Sequence, residues 1–367
     1  MELVLSEEQR LLRDSAQRLV EEGGGVARHR RQRDAESGFD RDRLCEMGAA
    51  GWLSMIVPEA AGGLGLGMVE LALVLEQAGR ELTMEPVSAL ACVGWALGTA
   101  EAGAVMGDAL AGLADGSRVI LPAIADDGFP IATPTPEGGF SLDGTTARVA
   151  HAGDADGFLV AADADGGVVL CLIPADAAGI ERDQAATVDG GSHAALCLTA
   201  VTVASDQVVA REKSAGDLVT ALRDRLLIGQ GAEMLGVMDG ALSMGIEYMK
   251  VREQFGRPIG SFQALQHRAV DNHVDAELSR CLLYQVAAAM DGARASRIMV
   301  AAVKARLSEA AINVTKSVIQ IHGAIGFTDE YDAGLYLRRA MTLAAEYGGA
   351  GVHRARFVTL LDGITAD

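Results

Sequence analysis

The sequence predicts a mostly α-helical protein with one β-domain in its middle. Half of the 367 residues are hydrophobic but only 4% are aromatic, with alanine and leucine dominant. That composition favours packed helices. Apolar residues recur at three- and four-residue spacing to about Leu113 and again from Ala215 onward, the period of amphipathic helices. From Ser117 the runs VILPAIA, GFSLDGTTARVA, GFLVAA, GGVVLCLIP and AALCLTAVTVA are short, β-prone and separated by Gly, Asp and Pro. Length allows two or three domains. The changes of texture place an N-terminal helical domain at 1–116, a middle β-domain at 117–208 and a C-terminal helical bundle at 209–367.

Ser6 and Gln9 have capping-box spacing, and Leu5, Leu12, Ala16 and Leu19 follow helical spacing, so a first helix starts there. PEAAGGLGLG, Pro58 to Gly67, interrupts the helical pattern as a turn-rich connection. In the C-terminal segment Met234, Met238, Met244 and Met249 lie near helical spacing and read as core. Trp52 and Trp95 read as packing residues.

The net charge of −19 argues against a nucleic-acid partner, while leaving room for one basic phosphate pocket. Five cysteines, odd in number and without a CxxC, fit reduced thiols in a cytoplasmic protein. The N-terminus is acidic without an apolar signal core, and the longest uncharged stretch, Pro86 to Ala100, is too short to span a bilayer. A soluble cytoplasmic protein is therefore expected. His267, His273 and His322 form no metal-ligand pattern, so no metal is expected. The sequence also contains neither a nucleophilic triad nor a P-loop.

Two stretches carry chemistry. In YMKVREQFGRPIGSFQALQH, Tyr248 to His267, a helical run ends at FG, RPIGSF turns, and QALQH opens another helix. Arg252, Arg257 and His267 then surround a turn next to a helix N-terminus, a place suited to pyrophosphate. A solvated basic loop has the same pattern. In SVIQIHGAIGFTDEYDAGLYLRRA, Ser317 to Ala340, two close glycines break a helix ahead of Asp329, Glu330 and Tyr331. Such a loop can approach a flat or phosphorylated ligand, and it can equally be a plain helix–helix turn.

These stretches, with GWLSMIVPEAAGGLGLG at Gly51 to Gly67, resemble the acyl-CoA dehydrogenase family along essentially the whole chain. The resemblance implies an N-terminal helical domain, a β-barrel-like middle domain and a C-terminal four-helix bundle. It also implies FAD as cofactor, an acyl-CoA thioester as substrate and an electron-transferring flavoprotein as acceptor. In that family the flavin carries the redox chemistry and the protein supplies orientation and a base. The ADP half of FAD reaches into a neighbouring subunit. By resemblance those neighbour contacts fall here on Arg252, Gln254, Phe255, Gln263, Gln320, Gly323 and Ala324.

The flavin-ring half departs from the family. Its TEP…GSD loop corresponds here to LPAIADDGFPIATP, Leu121 to Pro134, which lacks the Gly–Ser pair. Its Trp-Ile-Thr or Trp-Ile-Ser tripeptide corresponds to Arg148, Val149 and Ala150, so both indole and hydroxyl are lost. The usual C-terminal base aligns with Tyr347, a phenol with an ordinary pKa near ~10. Glu346 stands one position early, and a one-residue shift on a helix or tight turn rotates a side chain by roughly 100°. The family's following threonine and glutamine are Gly349 and Gly351. A second lineage of the family places its base where Asp224 stands here, followed by Arg225 as a substrate contact.

The resemblance is closest to the divergent subunits of heterotetrameric bacterial dehydrogenases that act on steroid side chains and other bulky acyl-CoA thioesters. It implies a subunit that lends the ADP-side half-site to a second, catalytic acyl-CoA dehydrogenase subunit. A self-sufficient homotetramer using Asp224, and a flavin-free acyl-CoA-binding or structural protein, stay open as alternatives.

Overall fold

The computed structural model describes residues 5–33, 38–100, 104–124 and 128–365. Helix α1 (Glu7–Glu22) starts on the expected capping box: Ser6 Oγ accepts from the Gln9 amide at 3.2 Å and Gln9 Oε1 from the Ser6 amide at 3.0 Å. α2 (Gly25–Arg33) follows, then α3 (Arg41–Ala49), α4 (Met68–Arg80), α5 (Val87–Thr99) and α6 (Ala104–Ala114).

Strands then run β1 (Ile120–Ala123), β2 (Ile131–Pro134), β3 (Phe140–Ala150), β4 (Gly157–Ala164), β5 (Gly167–Pro174), β6 (Ile180–Ala186), β7 (Ser192–Val203) and β8 (Val208–Arg211). They form one sheet of order β6-β7-β3-β2-β4-β5-β8, with β1 parallel to β4 in the register Ile120↔Gly157. β4 is buried on both faces from Gly157 to Ala162, which is why GFLVAA is continuously apolar rather than alternating. β6 is an exposed edge strand, and β8 closes the other edge through the pair Val169↔Arg211.

The remaining elements are α7 (Glu212–Val251), β9 (Glu253–Gln254), β10 (Arg257–Pro258), α8 (Gln263–Asp291), α9 (Arg297–His322), α10 (Ala333–Ala345) and α11 (Ala350–Thr365). The architecture is mostly helical with a central sheet, as the sequence predicts. None of the described helices is long and apolar enough to cross a membrane.

The chain divides into two compact units, each drawn from several segments. One unit comprises Gln32–Gly67 and Met84–Leu226 and holds the sheet. Its core is the buried face of α5 with β1 and β4, including Leu90, Val93, Ile120, Phe158 and Val160. Trp52 is buried there as the sequence implies, while Trp95 is only partly covered.

The other unit comprises Met1–Arg31, Met68–Thr83 and Leu227–Asp367. In it α9 is central and packs against α8, α10 and α11. Met234, Met238 and Met249 are buried, and Met244 is half-buried.

Helix α4 crosses α7 here with the two backbones touching. A Cβ on Gly236 would stand 1.9 Å from the Glu76 carbonyl oxygen, and one on Gly79 would stand 2.1 Å from that of Glu233. Gly236→Ala should therefore lower stability by about 2 kcal/mol, because backbone cannot yield as a side-chain tip does. Gly216→Ala, on the same helix with open space around it, should raise stability by ~0.5–1 kcal/mol. Urea titration of the two variants reads the contrast.

Candidate functional site

Two motifs far apart in sequence meet in the helical unit. Helix α7 ends at Val251, earlier than the helical pattern suggests, because the chain reverses in a hairpin. Gln254 pairs with Arg257 across β9 and β10, and the two turn residues have left-handed φ of 54° at Phe255 and 76° at Gly256. Two successive positive φ angles are the mark of a type I′ turn, and a phenylalanine there is strained. The turn leaves Phe255 91% exposed.

A small apolar core of Met249, Ile259 and Ile321 joins the base of this hairpin to the end of α9, with Tyr248, Phe262 and Leu265 packed on it. Above it His322 stacks on Tyr248 at 4.4 Å and leans on Tyr331 at 4.7 Å. His322 Nδ1 lies 2.8 Å from the Val318 carbonyl oxygen and donates to it. Burial keeps the ring neutral by pulling its pKa down. The sequence gives no direct sign of this stack beyond Tyr248 standing one turn before Arg252.

The polar residues expected at the ADP side share one property. Arg252, Gln263 and Gln320 are exposed, and none of their side-chain polar atoms has a partner among the described residues. Gln254 donates only to the neighbouring Glu253 carbonyl, at 2.9 Å. Gly323 ends α9 at φ 65°, ψ −140°, a conformation reserved for glycine. A Cβ there would meet nothing within 4 Å, and Ala324 beside it is exposed. Guanidinium and amide donors around an open, side-chain-free loop are the chemistry a pyrophosphate and adenosine need, so these residues fit the ADP end of FAD.

The sheet-bearing unit differs at the positions expected to face a flavin ring. Ala125–Asp127 of the Leu121–Pro134 stretch lie outside the described residues. Arg148 sits near the end of β3, opposite Ala195, and its Nη1 contacts His193 Nε2. Burial, then the Arg148 charge, push the His193 pKa down, so the imidazole accepts. Ala150 offers no donor beyond its backbone. An arginine committed to a neutral histidine does not fit the role of an indole plate.

Asp224 lies half-buried on α7 in the same unit. Arg225 beside it is folded back: its guanidinium lies 3.5 Å from the Trp95 ring centroid, and Nη1 donates to the Ala221 carbonyl at 3.1 Å. That stacking is a cation–π contact, and it explains why Trp95 is not a plain core residue.

In the helical unit Glu346 caps the C-terminal end of α10, and Gln230 Nε2 donates to its carboxylate. Gln230 Oε1 in turn accepts from Lys304 Nζ at 2.9 Å, and Lys304 also donates to the Leu343 carbonyl at 2.6 Å. Lys304 is 0% exposed. Burial draws its pKa down to about 8 against the pull of Glu346 and Glu233. Glu233, paired with Arg339 at 3.0 Å, is pushed up to about 7 by burial.

Glu346 thus belongs to a buried polar cluster that holds the helix end. Tyr347 follows with a left-handed φ of 51°, and its carbonyl oxygen lies 2.9 Å from His353 Nε2. The segment at Tyr347 is a tight turn, with Glu346 at φ −60° and Tyr347 at φ 51°. Beside this turn an open apolar groove of about 380 Å³ is lined by Ile312, Met341, Ala344, Ala345, Gly349 and Ala350. Among the described residues, no group of His, Cys, Asp and Glu could hold a metal ion.

The chain is mostly helical with one central sheet, and its arginine hairpin is joined to a glycine loop through a small apolar core. The chain belongs to the acyl-CoA dehydrogenase family. Residues 6–104 match its N-terminal domain and residues 223–358 its C-terminal domain. Acyl-CoA dehydrogenase FadE27 of Mycobacterium tuberculosis is 30% identical over 336 residues, covering 88% of each chain. Among solved structures, a chain of the ChsE4-ChsE5 complex from Mycobacterium tuberculosis has a TM-score of 0.92 at 28% identity, covering 99% of both chains. The Tcur3481-Tcur3483 steroid ACAD has a TM-score of 0.90 at 30% identity, covering 98% of this chain and 99% of that one.

Proposed function

We propose that this chain is the divergent subunit of an FAD-dependent acyl-CoA dehydrogenase and lends the ADP-side half of the FAD site to an unlike, catalytic subunit. One contrast carries the reading. Arg252, Gln263 and Gln320 present unengaged donors at the ADP side, whereas Arg148 is committed to His193 where a flavin-covering indole is expected. FAD, when bound, would supply the two-electron redox chemistry of acyl-CoA α,β-dehydrogenation. This chain's part is to hold the pyrophosphate with Arg252 and the adenosine side with Gln320 and the Gly323–Ala324 loop.

The hydrogen bond from Gln230 to Glu346 supports placing the α-proton base in the partner, with Asp224 as this chain's other candidate for the base. Similarity to a steroid ACAD and to a complex of two named chains supports a bulky, steroid-type acyl-CoA substrate and a hetero-oligomer. An electron-transferring flavoprotein is the acceptor in this reading.

The test is flavin content by absorbance after gel filtration, for the chain alone and co-expressed with a complete acyl-CoA dehydrogenase subunit. No flavin alone and one FAD per unlike pair is the expected result. Within the pair, Arg252→Ala should weaken FAD retention by about 10–100-fold, the worth of a charge-assisted hydrogen bond of ~1.5–3 kcal/mol. One FAD per chain when alone would overturn the reading, and loss of turnover in Asp224→Asn with FAD retained would then establish a self-sufficient enzyme.

A further inference from the structure

Helix α8 buries one face and turns an apolar stripe outward on the opposite face. Its inward face, with Asn272, Ala276, Ser279 and Leu283, is buried in the helical unit. Outward, Val270 is 58% exposed, Val274 48% and Leu278 57%, and Cys281 is exposed beyond them. At 100° per residue these four lie within about 40° of Val274 around the helix axis. They recur at intervals of four, four and three residues, the spacing of a helix-packing seam rather than of scattered surface residues.

Acidic residues border the seam on both sides, with Asp271 and Glu277 each about 60° from its centre. Glu277 shares the Arg280 guanidinium, 3.1 Å away, with Glu76 and Asp239. Three carboxylates on one guanidinium leave a surplus of negative charge at this border. Asp275 is spent on Arg306 at 2.7 Å. Arg268 lies about 120° away, outside the seam, with Nη1 3.5 Å from Ser317 Oγ.

Charge therefore selects the occupant. A second copy docked antiparallel about Val274 sets Asp271 beside its own copy on one flank and Glu277 beside its own copy on the other, and a parallel copy sets Asp271 on the same flank as Glu277 twice. Like charges so placed disfavour the pairing, and the net charge of −19 opposes it further. We infer that the Val270–Val274–Leu278–Cys281 seam docks an apolar helix of an unlike chain that carries Lys or Arg on both flanks. This rests on the hetero-oligomer reading above and adds the surface and the chemistry of the partner.

The experiment uses the full chain with Cys45→Ser and Cys197→Ala, so that Cys281 is the accessible thiol, alone and co-expressed with the complete subunit. Maleimide labelling of Cys281 should be fast in the chain alone and at least about tenfold slower in the complex, as expected for a desolvated interface core. Val274→Lys, at an exposed position that leaves the fold intact by circular dichroism, should abolish co-purification. The double variant D271K/E277K should weaken it at least about tenfold, and its effect should shrink in high salt as screening removes the border charges.

Unchanged labelling, or a complex indifferent to Val274→Lys, overturns the seam even if FAD is shared as proposed. Protection of Cys281 in the chain alone overturns the unlike partner in favour of a second copy. A seam that behaves as expected in a flavin-free complex would leave the docking surface standing and the proposed function refuted.

Discussion

Lys304→Met is expected to lower stability by about 3–5 kcal/mol, the usual consequence of breaking a buried charge cluster on one side. The variant keeps the volume but leaves two acceptors, the Gln230 amide oxygen and the Leu343 carbonyl, without their donor, and it removes the cation that faces the Glu346 and Glu233 carboxylates. Leu343 is in the last turn of α10, so the cation also sits where the helix dipole favours it.

The pH dependence has a definite sign. Burial holds the folded-state pKa of Lys304 at about 8, below the ordinary 10.5. Between those values the unfolded chain binds more protons, so this group makes the wild type gain stability as pH rises. The variant lacks that gain, and its deficit should widen from pH ~8 to ~10. Chemical denaturation of both proteins across that range measures it. A deficit independent of pH would mean that Lys304 acts through packing alone. Glu233, raised to about 7 by burial, acts in the opposite direction, and wild-type stability should fall as pH rises from ~4.5 to ~7.

Arg280→Ala should cost a similar ~3–5 kcal/mol near neutral pH. Arg280 ties three helices together by donating to Glu76 of α4, to both oxygens of Asp239 of α7 at 2.9 and 2.7 Å, and to Glu277 of its own helix. Burial raises the pKa of Glu76, which also accepts from Tyr284 at 2.7 Å, and Arg280 opposes the rise. Without the guanidinium, Glu76 takes up a proton more readily in the folded state, so stability falls more steeply as pH rises through its pKa. The loss should therefore be smaller at pH ~5 than at ~7.5, and Glu76→Gln should restore part of it in the Arg280→Ala background. Additive single-variant effects in that cycle would show the pair to be uncoupled.

The fold is legible wherever a segment's own pattern matches its burial. The Ser6–Gln9 box starts α1 because capping is local, and GFLVAA reads as a strand because both faces of β4 are covered. Strand β6, IERDQAA, escapes such a reading: it lies on an edge, mostly exposed, and alternation has no core to report. The end of α7 escapes for another reason. A helical period continues into REQFG, but left-handed angles at Phe255 and Gly256 turn the chain before it can continue.

The candidate site divides the same way. Residue identities at REQFG, QIHGAIG and Arg148–Ala150 are local facts, enough to point to the family and to motivate the proposal of unequal half-sites. The partners of those residues are not local. A lysine among Val300, Val303 and Leu307 hints at burial in the sequence of α9, but its partners Gln230 and Leu343 come from two other helices.

Residue order alone carries the helix–sheet–helix succession, the family and the set of side chains able to meet a pyrophosphate, because periodicity, turn chemistry and residue type are properties of neighbours along the chain. It takes the packed molecule to show that Glu346 is held by Gln230, that Arg225 lies on Trp95 and that α8 turns an acid-bordered apolar seam to solvent. Those outcomes depend on which long-range partner satisfies a buried charge or covers a ring. Desolvation sets that choice in space, between residues that have no relation in sequence.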